Sequence, residues 1–237
     1  AAPGVLKVFT SADCAGVGGI PCGWQITDKA GEPMKGPAHP ILAAGKVRHV
    51  GDPICAVVAE TLTQARDAAE LIVLDLTELP AVVDMKAALT PDSAVVHDEC
   101  GDNLCYDWGF VAENEQAVDD AIKGAHHVTT LELVNNRLVA NPMEPRASTS
   151  DYDPGTGDYT LYTTSQNPHL TRLLISAFVM GIPENKLRVI APDVGGGFGS
   201  KIYHYGEEAL VLAASKRLER PVRWTATRTE RFLTDAH

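Results

Sequence analysis

The chain has 237 residues, 45% hydrophobic, 22% charged and 6% aromatic, and its 31 acidic against 20 basic residues give a formal net charge of −11. Apolar content at the globular level argues against disorder, and so acidic a chain lacks the cationic footprint that a phosphate backbone demands, so no nucleic acid partner is expected. The length suits one large domain or two ordinary ones.

There is no initiator methionine, and Ala1-Ala2-Pro3-Gly4 runs straight into the alternation Val5-Leu6-Lys7-Val8-Phe9, as in a chain that starts mid-fold. No apolar run reaches the ~20 residues of a membrane-spanning helix. The longest candidate, Leu173 to Met180, contains Ser176 and reads as a buried helix. Cys14, Cys22, Cys55, Cys100 and Cys105 are odd in number, irregular in spacing and without a C-x-x-C. That pattern predicts reduced thiols, a cytoplasmic setting and no zinc or iron–sulfur ligation by this chain.

In chain order, Lys46–Val50 alternates as a strand, Gly51-Asp52-Pro53 turns, and Ile54–Ala59 is an apolar run suited to a buried strand. Thr61 or Thr63 caps a helix whose Ala65, Ala68, Ala69 and Ile72 share one face. A third strand, Val73–Leu76, completes a compact β-β-α-β unit ending at Leu79-Pro80. From about Met85 to Glu115 periodicity gives way to Pro, Asp, Asn and Gly, marking a linker. A short helix over Ala117–Ala125 precedes strands over Val128–Val139 and Tyr159–Ser165, with the turn residues of 151–158 between them. Helix Pro168–Met180 then starts on proline and stops at Gly181. Strand Leu187–Ala191 enters a glycine-rich loop, and a helix from about Tyr205 to Arg217 and strand Val222–Ala226 follow.

That loop, Gly195-Gly196-Gly197-Phe198-Gly199-Ser200-Lys201, is the strongest chemical signal. A glycine-rich backbone between strand and helix can approach a ligand closely and offer N–H groups to an anion. It is not a P-loop, because Ser200 precedes Lys201, and not a Rossmann fingerprint, because Ser200 replaces the third glycine; a G-x-S-x-G elbow is absent. Gln166, at a strand end, offers an uncharged donor and acceptor, although taken alone it reads as a helix-entry residue. Met143-Glu144-Pro145-Arg146 reads as an ion pair fixing a turn. His126-His127 lacks ligand partners at metal spacing and reads as surface or packing. His204 either reaches the loop's ligand or caps the next helix; Asp193 reads as a loop group, and no nucleophilic triad is visible.

Together these segments form an ordered set. His39-Pro40-Ile41-Leu42-Ala43, Lys46-Val47-Arg48-His49-Val50-Gly51-Asp52-Pro53, Ala56-Val57-Val58-Ala59 and Ala65 through Ala81 resemble the hammerhead domain of xanthine dehydrogenase/aldehyde oxidase-type molybdenum hydroxylases. Met143-Glu144-Pro145-Arg146, Ser165-Gln166-Asn167-Pro168 and the glycine loop resemble the first part of their molybdenum-cofactor domain, most of all in bacterial large subunits of aerobic carbon monoxide dehydrogenase type. The implied fold is α+β: a hammerhead α/β domain over 1–88, a linker over 89–115, and the N-terminal part of a molybdenum-cofactor-binding α/β domain over 116–237.

The resemblance implies a molybdenum–molybdopterin cofactor, in the cytosine dinucleotide form, with [2Fe–2S] and FAD centres on partner subunits in a dimer of heterotrimers. It implies hydroxylation of an aldehyde or N-heteroaromatic carbon, or oxidation of carbon monoxide, with water as the oxygen source. Gln166 would lie beside the metal's oxo group, with Gly197, Phe198 and Gly199 lining the cofactor and no protein side chain ligating the metal. Ile202 stands where purine-oxidising members carry Glu, which weighs against a purine substrate. The general base and active-site loop are expected beyond His237, so the 237-residue chain alone is expected to be inactive. The readings outside this family are a non-catalytic α/β binding or assembly module that keeps the loop, and a flavin- or nucleotide-binding protein, which the failed motif checks disfavour.

Overall fold

The computed structural model describes residues 2–110 and 114–236. The expected domain ends at Ala1 and His237, and positions 111–113 of the expected linker, lie outside them. The chain forms two compact units, one from Ala1–Pro21, Ala38–Glu78 and Leu138–His237, the other from Cys22–Pro37 and Leu79–Arg137.

In the first unit, β1 (Val5–Phe9) pairs antiparallel with β2 (Ala56–Ala59), and α1 (Leu62–Glu70) follows. Thr61 caps α1: its hydroxyl accepts from the Gln64 N–H at 3.3 Å, and Gln64 Oε1 accepts from the Thr61 N–H at 3.0 Å. The expected strands Lys46–Val50 and Val73–Leu76 do not form. Alternation supplies an apolar face but no backbone partner; neither segment pairs with β1 or β2, and Val50 and Val73 are exposed.

A second sheet has the order β5-β4-β3-β6, built from β3 (Ala147–Asp153), β4 (Asp158–Thr163), β5 (Leu187–Ile190) and β6 (Val222–Thr225). Strands β3 and β4 form an antiparallel hairpin across the expected turn, with Tyr152 opposite Tyr159. The strand before that turn is therefore Ala147–Asp153, not Val128–Val139, which carries no strand and exposes Val128, Leu131, Leu133 and Val134. The Asp-rich tract around Asp151 hid β3 from a hydrophobicity argument, whereas Ser148 and Ser150 are buried as its inward face.

Strand β4 continues into α3 (Pro168–Leu173), capped by the Asn167 side chain with proline in the first turn. The expected helix runs on to Met180, but Leu174–Met180 is π-helical and ends at Gly181, which has φ +62°. Inside it the Ser176 hydroxyl donates back to the Arg172 carbonyl at 2.6 Å, a bond that loosens the regular ladder. The chain returns as β5, parallel to β4. Helix α4 (Gly206–Leu218) buries Ala209, Val211, Leu212 and Ala214, and α5 (Arg228–Thr234) follows β6. One core joins Phe9, Ile41 and Leu42 to Leu161, Ile175, Val179 and Leu212.

The second unit holds α2 (Glu115–Lys123), close to the helix expected at Ala117–Ala125. It is otherwise irregular and tied by polar contacts: Asn103 Oδ1 accepts from the Val96 N–H at 2.9 Å while Nδ2 donates to Ala94 O at 2.8 Å, and Lys29 pairs with Asp107 at 2.7 Å. The five cysteines are unbridged, and among the described residues no helix is long and apolar enough to cross a membrane.

Candidate functional site

The glycine loop lies between β5 and α4, and Gln166 lies at the end of β4 next to β5, so the parallel pairing brings both to one end of the sheet. The Gln166 N–H donates to Lys201 O at 2.9 Å. Its Oε1 accepts from the N–H groups of Gly199, at 3.1 Å, and Lys201, at 3.2 Å. With Oε1 committed to the loop, Nε2 is left as an outward donor on an exposed residue.

Gly197 is required by close approach: a Cβ there would stand 2.2 Å from Gln166 Oε1. Gly196 and Gly199 adopt φ of +89° and +92°, and Phe198 holds φ +50° with its ring 74% exposed. An aromatic residue held in the left-handed region without burial gain is strained, by about 1–3 kcal/mol, and such strain clusters at ligand sites. The N–H groups of Gly197 and Phe198 make no hydrogen bond with any described residue. Two free backbone donors beside the Gln166 amide form a neutral cradle for an anion.

Charged groups hold the loop from below. Glu144 accepts from the Gly195 N–H at 2.8 Å and pairs with the fully buried Lys201 ammonium at 2.7 Å. Burial pushes the Glu144 carboxyl up, but the hydrogen bonds from Lys201 and Gly195 outweigh it and leave it below its ordinary value. Burial in turn depresses the Lys201 ammonium against the pull of Glu144. Arg146 pairs with Glu207 at 3.1 Å and Asp235 at 2.6 Å, and its guanidinium lies 3.6 Å from the Tyr205 ring centroid. Asp235 also holds Arg231 at 2.6 Å, and Arg231 donates to Ser200 Oγ at 3.2 Å. The Tyr205 hydroxyl donates to Ser200 O at 2.5 Å.

The expected Glu144–Arg146 pair is thus not made. Each is drawn to a different partner instead, Glu144 to Lys201 and Arg146 to Glu207 and Asp235. His204 does not cap α4, a task that falls to Glu208, whose carboxylate accepts from the Tyr205 N–H at 3.4 Å. Burial holds the His204 imidazole below its ordinary value and leaves Nδ1 without a partner. Desolvation pushes the fully buried Glu208 carboxyl up to about 7, against hydrogen bonds from Thr163 and Tyr205. Asp193 is exposed, as are His126 and His127. Sequence reasoning missed Lys201, Arg231, Asp235 and Glu208 as buried charges; the i,i+4 spacing of Arg231 and Asp235 was their one visible signal.

The hydrogen-bonding set therefore offers neutral donors to an anionic oxygen. Comparison with known proteins shows the family. The molybdopterin cofactor-binding domain family matches residues 96–237, and the aldehyde oxidase and xanthine dehydrogenase a/b hammerhead domain matches residues 1–80. The large subunit of nicotine 6-hydroxylase from Paenarthrobacter nicotinovorans is 36% identical over 99% of the chain and 28% of that protein. The carbon monoxide dehydrogenase large chain of Hydrogenophaga pseudoflava is 32% identical over 100% of the chain and 29% of its own length. Among solved structures, quinoline 2-oxidoreductase from Pseudomonas putida 86 superposes with a TM-score of 0.85 at 33% identity, over 99% of the chain and 29% of that structure's chain. The chain thus spans less than a third of these relatives. It belongs to the xanthine dehydrogenase and aldehyde oxidase family of molybdenum hydroxylases, as part of the molybdopterin-binding large subunit.

Proposed function

We propose that this chain carries the part of a molybdenum hydroxylase large subunit that seats an anionic oxygen of the cofactor between the Gln166 amide and the free N–H groups of Gly197 and Phe198. The observation behind it is the locked carboxamide, with Oε1 held by two loop N–H groups on an otherwise exposed residue. The cofactor, when bound, supplies two-electron redox chemistry and the hydroxyl derived from water. Gln166 donates a hydrogen bond without adding charge; the loop backbone positions the group, and Phe198 screens it from water. Gly199 lines the site through its conformation, facing open space, because its N–H is engaged by Gln166.

Residues 1–88 are proposed as the hammerhead, 89–115 as a linker and 116–237 as cofactor domain; the family matches, over 1–80 and 96–237, support the order of the two domains, and the second takes in most of the proposed linker. We assign the cytosine dinucleotide form of the cofactor, [2Fe–2S] and FAD partner subunits, a cytoplasmic location, and an N-heteroaromatic ring carbon as the site of hydroxylation. Support for the ring substrate comes from relatives whose names specify nicotine and quinoline, and from an apolar, half-exposed Ile202 beside the loop. The test is a dye-linked assay of the assembled enzyme against a quinoline, an aldehyde and carbon monoxide. Ring hydroxylation, lowered about 10²-fold by Gln166→Ala at unchanged molybdenum content, is expected. Oxidation of only carbon monoxide or the aldehyde would refute the substrate, and full activity in Gln166→Ala would refute the site.

A further inference from the structure

Within the first unit, three ligand-type side chains converge on the Gly51-Asp52-Pro53 turn. His39 Nε2 lies 3.6 Å and His49 Nε2 4.0 Å from Asp52 Oδ1, and the three atoms are mutually within 4.8 Å. Asp52 is the buried member: its side chain is 2% exposed, and Oδ1 has no hydrogen-bond partner. Its other oxygen is fixed by the Arg48 N–H at 3.0 Å. An unpartnered buried carboxylate oxygen is costly, so what faces it matters.

The histidine tautomers follow from their own contacts. His39 Nδ1 lies 2.8 Å from Pro40 O, and His49 Nδ1 lies 3.1 Å from Val50 O. A carbonyl oxygen only accepts, so each Nδ1 carries the proton, and each neutral ring presents an Nε2 lone pair toward Asp52. Three electron-rich atoms then converge with no donor among them. A cation between them resolves the conflict, and a metal does so for all three at once.

We propose that His39, His49 and Asp52 form a binding site for a divalent, borderline-soft ion of the zinc class. Two imidazole nitrogens and one carboxylate suit that class and disfavour calcium or magnesium, which take oxygen ligands. Ligands about 2.1 Å from zinc at the tetrahedral angle lie about 3.4 Å apart, so His39 and His49 close on Asp52 by about 0.2 and 0.6 Å and on each other by at most about 1.4 Å. Both imidazoles are about half exposed and free to swing by that much, while Asp52 is fixed. The backbone carbonyls on both Nδ1 atoms and the Arg48 N–H on Asp52 supply the outer hydrogen bonds that orient metal ligands. Water completes the coordination on the exposed side. The ion clips the His39 segment to the turn. The turn in turn packs on α5, since a Cβ at Gly51 would stand 2.6 Å from Leu233 O. This site does not depend on the cofactor reading.

The test is titration of the purified, chelator-stripped chain with zinc in competition with a chromophoric chelator, alongside thermal unfolding with and without zinc. One zinc per chain is expected. Affinity should fall at least tenfold in His39→Gln and in His49→Gln, and a zinc-induced rise in Tm should vanish in the double variant. His126→Gln/His127→Gln should bind as the parent does. Absence of zinc binding at micromolar concentration would overturn the proposal, leaving a proton to balance the cluster. Binding unchanged in the His39/His49 variants would overturn it equally, because the ion would then sit on cysteines or other histidines.

Discussion

A methyl group at position 197 would stand 2.2 Å from Gln166 Oε1 and 2.4 Å from its Cδ, so the carboxamide must retreat by about 1 Å to reach ordinary contact. The backbone does not object to Gly197→Ala, because its φ is outside the left-handed region. The cost falls on the two hydrogen bonds into Oε1, from Gly199 and Lys201. At about 1 kcal/mol each, their loss destabilises the protein by about 2 kcal/mol. Displacing a positioning group by an ångström lowers turnover about 10²-fold. The decisive measurement is a double-mutant cycle with Gln166→Ala in denaturant unfolding. Truncating Gln166 removes its Oε1 and Cδ, the two atoms the methyl would meet most closely, so Gly197→Ala should add less than about 0.5 kcal/mol in that background. Equal costs in both backgrounds would show that Gln166 is not what keeps position 197 bare, and would refute the proposed lock.

Glu144→Gln removes the charge facing the fully buried Lys201 ammonium and should cost about 2–3 kcal/mol in denaturant unfolding, below the usual range for a buried pair because Glu144 is 34% exposed. Asp235→Asn leaves Arg146 and Arg231 without their shared carboxylate and should cost about 3–5 kcal/mol in the same assay. Glu208 gives a pH signature. Its folded pKa of about 7 lies above the ordinary 4.5, so the folded state binds the extra proton, and stability falls as pH rises from about 4.5 to about 7. The loss is roughly 3 kcal/mol and stays lost above that window. Thermal unfolding across that range should therefore decline less in Glu208→Gln than in the parent, and parallel profiles would refute the assignment.

How much of this was legible beforehand depended on where the physics is local. Helix α1, with Thr61 and Gln64 at capping spacing, and α4, between the glycine loop and β6, carry their signals in neighbouring residues. Strand β3 did not, because its inward face is Ser148 and Ser150, whose burial is satisfied by Thr163 and by Ser215 on α4 rather than by apolar contact. Val128–Val139 erred the other way, since apolar alternation says nothing about whether a strand edge will be available. At the site, the glycine loop stood out by composition, while Gln166, which alone reads as a helix-entry residue, stood out only through the family resemblance. The sharing of Gln166 Oε1 between two loop N–H groups did not, because it depends on parallel pairing of strands separated by a helix. Beyond the Arg231–Asp235 spacing, nothing local marks Lys201 and Arg231 as buried, because their partners Glu144 and Ser200 lie 57 and 31 residues away.

The core that unites Phe9 and Ile41 with Ile175 and Leu212 also sets a folding order. That core combines residues more than 150 positions apart, and segments 22–37 and 79–137 of the other unit interrupt its sequence. Closure over such distances makes the first unit a slow, high-contact-order folder. During synthesis the β1 and β2 segments are made well before Leu161, Ile175 and Leu212, the later members of the same core.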